Sequence, residues 1–167
     1  MRSILNRIVT VFFLVMLCGC SLIPNRTKDA NDRYFYLIEM LNEHETFSDH
    51  SRYFSIEAEM AKIDSGYRYY IIIDEPQLAM YDIEVMAIEK DVDYSQNMAA
   101  NIGVFEDVQY NMIPNQSNVE DGYVKGLVAS GISDSPETTL YVYVQFKNAD
   151  YSVVHNEYLL LPCRYEG

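Results

Sequence analysis

Apolar and polar residues alternate along this chain with two periods, and the period changes near residue 52. Over 31–45 (NDRYFYLIEMLNEHE), Tyr34, Leu37, Ile38 and Leu41 fall at i, i+3, i+4 and i+7, the stripe of one helical face. Asn31 or Asp32 can cap the start of this helix. Glu43 and Glu45 sit where the helix dipole disfavours acid, so its end is expected to fray. The stripe has to be buried, and a sheet edge or the end of a sandwich is the expected place.

Beyond Arg52 the period is two. Phe54, Ile56, Ala58 and Met60 alternate with Ser55, Glu57, Glu59 and Ala61. The turn Asp64-Ser65-Gly66 follows, with glycine supplying a positive φ, and then Tyr67, Tyr69, Ile71 and Ile73 share one face of 67–74. These runs predict a hairpin whose second strand ends at Pro76. Residues 81–90 alternate again, with Ile83, Val85 and Ala87 on one face and Asp82, Glu84, Met86 and Ile88 on the other. The stretch 91–101 (DVDYSQNMAAN) is irregular. Short strands are predicted at 102–105 and 108–112, a turn from Pro114 to Gly122, a strand at 123–129 and a Gly/Ser/Asp/Pro turn over 130–138. The clearest hairpin joins 139–147 to 151–161. In its first strand Leu140, Val142, Val144 and Phe146 oppose Tyr141, Tyr143, Gln145 and Lys147.

About seven or eight short strands, with turns roughly every 8 to 12 residues, are the signature of an antiparallel sandwich. No βαβ alternation is present, so a parallel sheet is not expected. The reading is a mainly β protein: an antiparallel β-sandwich of immunoglobulin-like architecture, preceded by one N-terminal amphipathic helix. The Cys-Trp-Cys core of antibody domains is absent. One domain is expected over 31–167, helix included.

Composition sharpens this. There are 15 Tyr, 7 Phe and no Trp, a sheet-forming balance in which tyrosine tolerates both core and surface. Tyr70, Tyr141 and Tyr143 oppose the apolar faces of their strands and are the candidate surface for a protein or glycan partner. A net charge of −13 argues against nucleic acid and against electrostatic docking on anionic lipid.

The first 24 residues, MRSILNRIVTVFFLVMLCGCSLIP, follow another logic. Arg2 and Arg7 form a positive n-region, and the apolar run 8–17 suits a signal peptide and is short for a spanning helix of roughly 20 residues. Leu17-Cys18-Gly19-Cys20 then resembles the bacterial lipoprotein signal, an aliphatic residue, a small residue, Gly or Ala, and the modified Cys. Cys18 stands at the tolerant position. The resemblance implies a signal peptide over 1–19, cleavage before Cys20, diacylglycerol in thioether linkage to its sulfur and acylation of the new amine. Loss of Arg2 and Arg7 would take the net charge from −13 to −15. Acyl chains would then carry all membrane attachment, since two or three chains anchor stably where one does not. Residues 20–30 are expected to be the lipidated Cys and a tether. The stretch 102–131 is similar to small Gram-positive lipoproteins of unknown role, which implies a β domain.

Candidate chemistry is sparse. His44, His50 and His155 are scattered, without HExxH spacing. Asp91 and Asp93, near Asn97 and Asn101, are the candidate oxygen ligands for a hard cation, but the glycine and terminal acid of an EF-hand loop are missing. Glu106-Asp107 and Glu120-Asp121 are acid pairs flanking turns. No GxSxG, GxGxxG or P-loop occurs, so no catalytic residue and no cofactor is assigned. Cys163, in an apolar run, is expected to be a buried structural thiol. The functional expectation is a lipid-anchored, non-catalytic binding or accessory module of the cell envelope. It would sit on the extracytoplasmic face of a bacterial membrane, Gram-positive rather than Gram-negative. The alternative is a solute- or cation-binding lipoprotein using loops 91–101 and 114–122; an envelope hydrolase comes last.

Overall fold

The computed structural model describes residues 26–95, 98–106, 108–118 and 122–167. Cys20 and the signal-like segment lie outside the described residues, as do Asn97, Asp107, Glu120 and Asp121. Among the described residues one helix, α1 (Arg26–Glu43), precedes seven strands: β1 (Ser55–Ile63), β2 (Gly66–Asp74), β3 (Tyr81–Glu89), β4 (Ala100–Ile102), β5 (Gly126–Ser133), β6 (Glu137–Lys147) and β7 (Val154–Arg164).

The strands form two sheets, β1-β2-β5 and β4-β3-β6-β7, antiparallel at every strand pair. The fold is the expected β-sandwich. In a constant-type immunoglobulin domain the fourth strand sits in the sheet of the first; here β4 pairs with β3 in the other sheet. Between the sheets, Tyr69, Ile71, Ile73, Leu127 and Ala129 meet Val85, Ala87, Val142, Val144, Phe146 and Leu159.

A second core lies outside the sandwich. Tyr34, Leu37 and Leu41 of α1 pack on Met86, Ile88 and Tyr143, with Tyr94, Ala99 and Val104 at the margin. Each large side chain so buried contributes about 1.5–3 kcal/mol. The helix therefore covers the outer face of the four-stranded sheet, not a sheet edge or the end of the sandwich. It also starts at Arg26, ahead of the stripe that marks it in the sequence. Asp29 in the first turn favours the dipole and Ala30 favours helix, yet neither carries an apolar periodicity.

Strand β3 is consequently buried on both faces: Val85, Met86, Ala87 and Ile88 are all inaccessible. Its polar side chains are tied to neighbours. Glu84 takes the Arg33 guanidinium, at 3.1 Å from Nε, and Asp82 takes Lys147. Asp82 has φ 52° at the register shift between Tyr81 and Glu84, and its N–H donates to Asn111 Oδ1 at 2.9 Å.

Several strand boundaries differ from the pattern reading; β7, expected over 151–161, spans Val154–Arg164. β4 begins at Ala100 and ends before Gly103, where φ is 76° and an added Cβ would stand 2.6 Å from the Ile83 carbonyl oxygen. β5 runs on to Ser133, through residues whose composition reads as a turn. Instead of a strand at 108–112 there are isolated bridges, Met80 to Met112 and Asn111 to Tyr123.

Candidate functional site

The two sheets present their outer faces to different surroundings. Among the described residues, nothing comparable to α1 lies over the three-stranded sheet. Register sets three cross-strand rows on that bare face: Glu57–Ile72–Val128, Glu59–Tyr70–Ser130 and Ala61–Arg68–Ile132. Tyr70, Ile72, Val128 and Ile132 belong to neither core, and Val128 is 58% exposed. The centre of the face is aromatic and aliphatic. Exposed Glu57 and Glu59 make the β1 margin, and Arg68, in the central strand, donates from Nη1 to Ser130 Oγ at 3.3 Å. Local sequence explains the layout: strict alternation in β2 sends Tyr69, Ile71 and Ile73 inward and leaves Arg68, Tyr70 and Ile72 outside.

Of the three tyrosines expected on a partner surface, only Tyr70 is on this face. Tyr143 is 4% exposed, beneath α1. Its hydroxyl lies 3.0 Å from Gln145 Oε1 and 2.8 Å from Asn156 Oδ1. Desolvation pushes its pKa up to about 12. Tyr141 is half-buried against the edge of the Phe47 ring, 5.0 Å between centroids. Helix α1 and the segment after it cover these two residues, and alternation alone cannot register such a cover. Val128 lies within the expected strand 123–129 without being a candidate surface residue, and Ile132 lies past it, where Ser130-Gly131 reads as a turn. The alternation of Leu127 and Ala129 with Val128 and Ser130 was the available signal.

The described part of the 91–101 segment is held by tyrosine hydroxyls. Tyr94 Oη accepts the Glu89 N–H at 2.6 Å, and Tyr34 Oη accepts the Ala99 N–H at 2.7 Å. Burial pushes the Tyr94 hydroxyl up to about 12. Asp93 accepts from the Ser95 N–H at 2.8 Å and from its hydroxyl at 3.0 Å, contacts that hold the carboxyl below its usual range. Asp91 has φ 61°, and its N–H donates to Asn42 Oδ1 at 3.3 Å. Among the described residues no three His, Cys, Asp or Glu side chains are grouped so as to hold a metal ion. Cys163 is buried, and burial pushes its thiol pKa up.

Beside the bare face, a groove of about 640 Å³ runs between β5 and the 98–106 segment. Met98, 64% exposed, and Phe105 line its far wall. Comparison with family models, curated proteins and solved structures yields no match.

Proposed function

We propose that this chain is a lipid-tethered, non-catalytic binding or accessory module on the extracytoplasmic face of a bacterial membrane. An envelope protein or glycan binds on the bare face of the three-stranded sheet. One observation carries the reading: that face lies on the opposite side of the sandwich from α1, the element through which the chain continues back toward Cys20. A tether attached on the helix side leaves the Tyr70–Ile72–Val128 surface turned away from the helix and free to meet a partner. Its apolar centre and charged margin follow the usual anatomy of a recognition surface. The tether itself rests on the resemblance of Leu17-Cys18-Gly19-Cys20 to the lipoprotein signal.

Two measurements test it. Labelled fatty acid should enter the wild-type chain and not Cys20→Ser, which should leave the membrane fraction or stall unprocessed. A photo-crosslinking residue replacing Ile72 in the intact chain should capture an envelope component. The same residue replacing Tyr158, on the helix side, should not. A Cys20→Ser chain that stays membrane-bound and normally processed would remove the tether. Equal capture from both positions would remove the binding face.

A further inference from the structure

The sandwich has four sheet edges, and three of them carry recognised protection against strand pairing. β1 exposes Glu57, Glu59 and Lys62. β7 contains Pro162 and Arg164, and Ser48 bridges it: the Ser48 N–H donates to Tyr158 O at 2.9 Å, and the Leu160 N–H to Ser48 O at 2.9 Å. β4 is three residues long. β5 is different. It has eight residues, GLVASGIS, with no charge and no proline, and its pairing with β2 has no register shift.

Its free backbone groups can be assigned. The two-residue turn makes Ile63 and Gly66 a hydrogen-bonded pair. Even-numbered residues of β2 therefore bond β1, and Tyr67, Tyr69, Ile71 and Ile73 bond β5. On β5 the odd-numbered residues are used in turn. The N–H and C=O groups of Val128, Ser130 and Ile132 point to the open edge, with no backbone partner among the described residues.

We propose that this edge pairs with β5 of a second copy of the chain, antiparallel and centred on Ser130. The residues are self-complementary in that register. Val128 stands opposite Ile132 of the second copy, twice by symmetry, and Ser130 stands opposite Ser130. The exposed residues flanking the strand are Lys125 before it and Asp134 after it. Antiparallel pairing brings Lys125 of each copy within one residue of Asp134 of the other, so opposite charges meet at both ends. The interface is isologous and closes on itself. The groove beside β5 gives the incoming strand room, and its Met98 and Phe105 wall gains a neighbour. The two sheets become one of six strands, and the two bare faces become continuous. The pairing does not depend on what binds that face.

Ser130→Cys in the full-length chain, in mild detergent, tests this. Cα atoms of a hydrogen-bonded antiparallel pair stand about 5.5 Å apart, within disulfide range. Cys163 is buried, and the wild-type chain reports any background from Cys18 and Cys20. Mild oxidation or a short bismaleimide should give a covalent dimer of Ser130→Cys and none of Glu59→Cys on the β1 edge. Adding Val128→Lys removes both Val128–Ile132 contacts and should cut the dimer yield by about fivefold or more. The melting temperature should hold, since Val128 is exposed. Failure of natively melting Ser130→Cys to dimerise, equal dimer from Glu59→Cys, or a dimer unaffected by Val128→Lys would overturn the proposal.

Discussion

The outer faces of the two sheets are built from similar letters and meet opposite fates. On the four-stranded sheet the outward residues are Met86, Ile88, Tyr141 and Tyr143; on the three-stranded sheet they are Tyr70, Ile72, Val128 and Ile132. The first set lies under α1 and the segment after it, while among the described residues the second has no such cover. What separates them is the polar residues interleaved with them. Glu84 is answered by Arg33 from the helix, whose own charge that bond reinforces, and the Tyr143 hydroxyl is answered by Gln145 and Asn156. On the bare face Glu57 and Glu59 stay exposed to solvent. A covered face needs a partner for each polar group it buries, and a bare face does not.

The largest effect should come from loosening the cover. Leu37 is fully buried between α1 and the sheet. Leu37→Ala should cost about 2–5 kcal/mol, through lost transfer energy and the cavity left behind. Chemical denaturation measures this directly. A loss under about 1 kcal/mol would mean the helix is a removable appendage and the two faces are alike.

Alkali probes the helix-side core next, read as the difference between the wild type and Tyr143→Phe, because burial raises Tyr69 between the sheets as well. Tyr94 and Tyr143, both in the helix-side core, have hydroxyls raised from 10.0 to about 12 by desolvation. A raised folded-state pKa gives stability that is complete below the unfolded value and lost as pH climbs through the folded one. The window is therefore about pH 10 to 12, and the loss about 1.4 kcal/mol per pH unit for each tyrosine. Denaturation midpoints at pH 8, 10 and 11 should fall in that order. Tyr143→Phe should flatten the fall; an unchanged slope would show that Tyr143 is not shielded by the helix.

Gly131→Ala probes the inner side of the bare sheet. An added Cβ would meet Tyr69 Oη at 2.2 Å and Cζ at 2.3 Å, and Tyr69 is fully buried. Overpacking of this kind costs about 1–3 kcal/mol. In a double-mutant cycle Gly131→Ala should cost less in a Tyr69→Leu background than in the wild type, since both nearest atoms, Oη and Cζ, are then gone. An equal cost in both backgrounds would place the strain elsewhere.

Gly131 also marks how much could be read from the chain. Local periodicity carried the elements: the stripe of Tyr34, Leu37, Ile38 and Leu41, and the alternations of β1, β2, β6 and β7. What escaped depended on contacts between elements. The second half of β5 looks like a turn because Ser130, Gly131 and Ser133 are small or polar. Gly131 is small to admit the Tyr69 ring, and Ser133 donates to Glu89 Oε2 at 2.9 Å. The cover over Tyr141 and Tyr143 escaped for a related reason, since alternation says which residues share a face and not what lies across it. One clue was there. From Val85 to Ile88 strand β3 is apolar at every position, the mark of a strand buried on both sides. Of the candidate partner residues, Tyr70 was the one whose neighbours, Glu57 and Glu59, marked a face left to solvent.

The smallest change should fall on the bare face. Ile72→Thr keeps a β-branched residue, and so keeps the strand preference, while removing apolar surface from the centre of the Glu57–Ile72–Val128 row. Ile72 is half-buried and belongs to neither core among the described residues, so stability should move by about 1 kcal/mol or less. Its counterpart across the sandwich, Met86→Thr, puts a hydroxyl into the core beneath α1 and should cost several times more. Paired denaturation curves for the two variants measure the difference between the faces. Equal losses would mean that Ile72 is covered, and the bare face would then cease to be a candidate for recognition. Unequal losses, together with weaker capture of the envelope component by Ile72→Thr, would show that this face is used for binding.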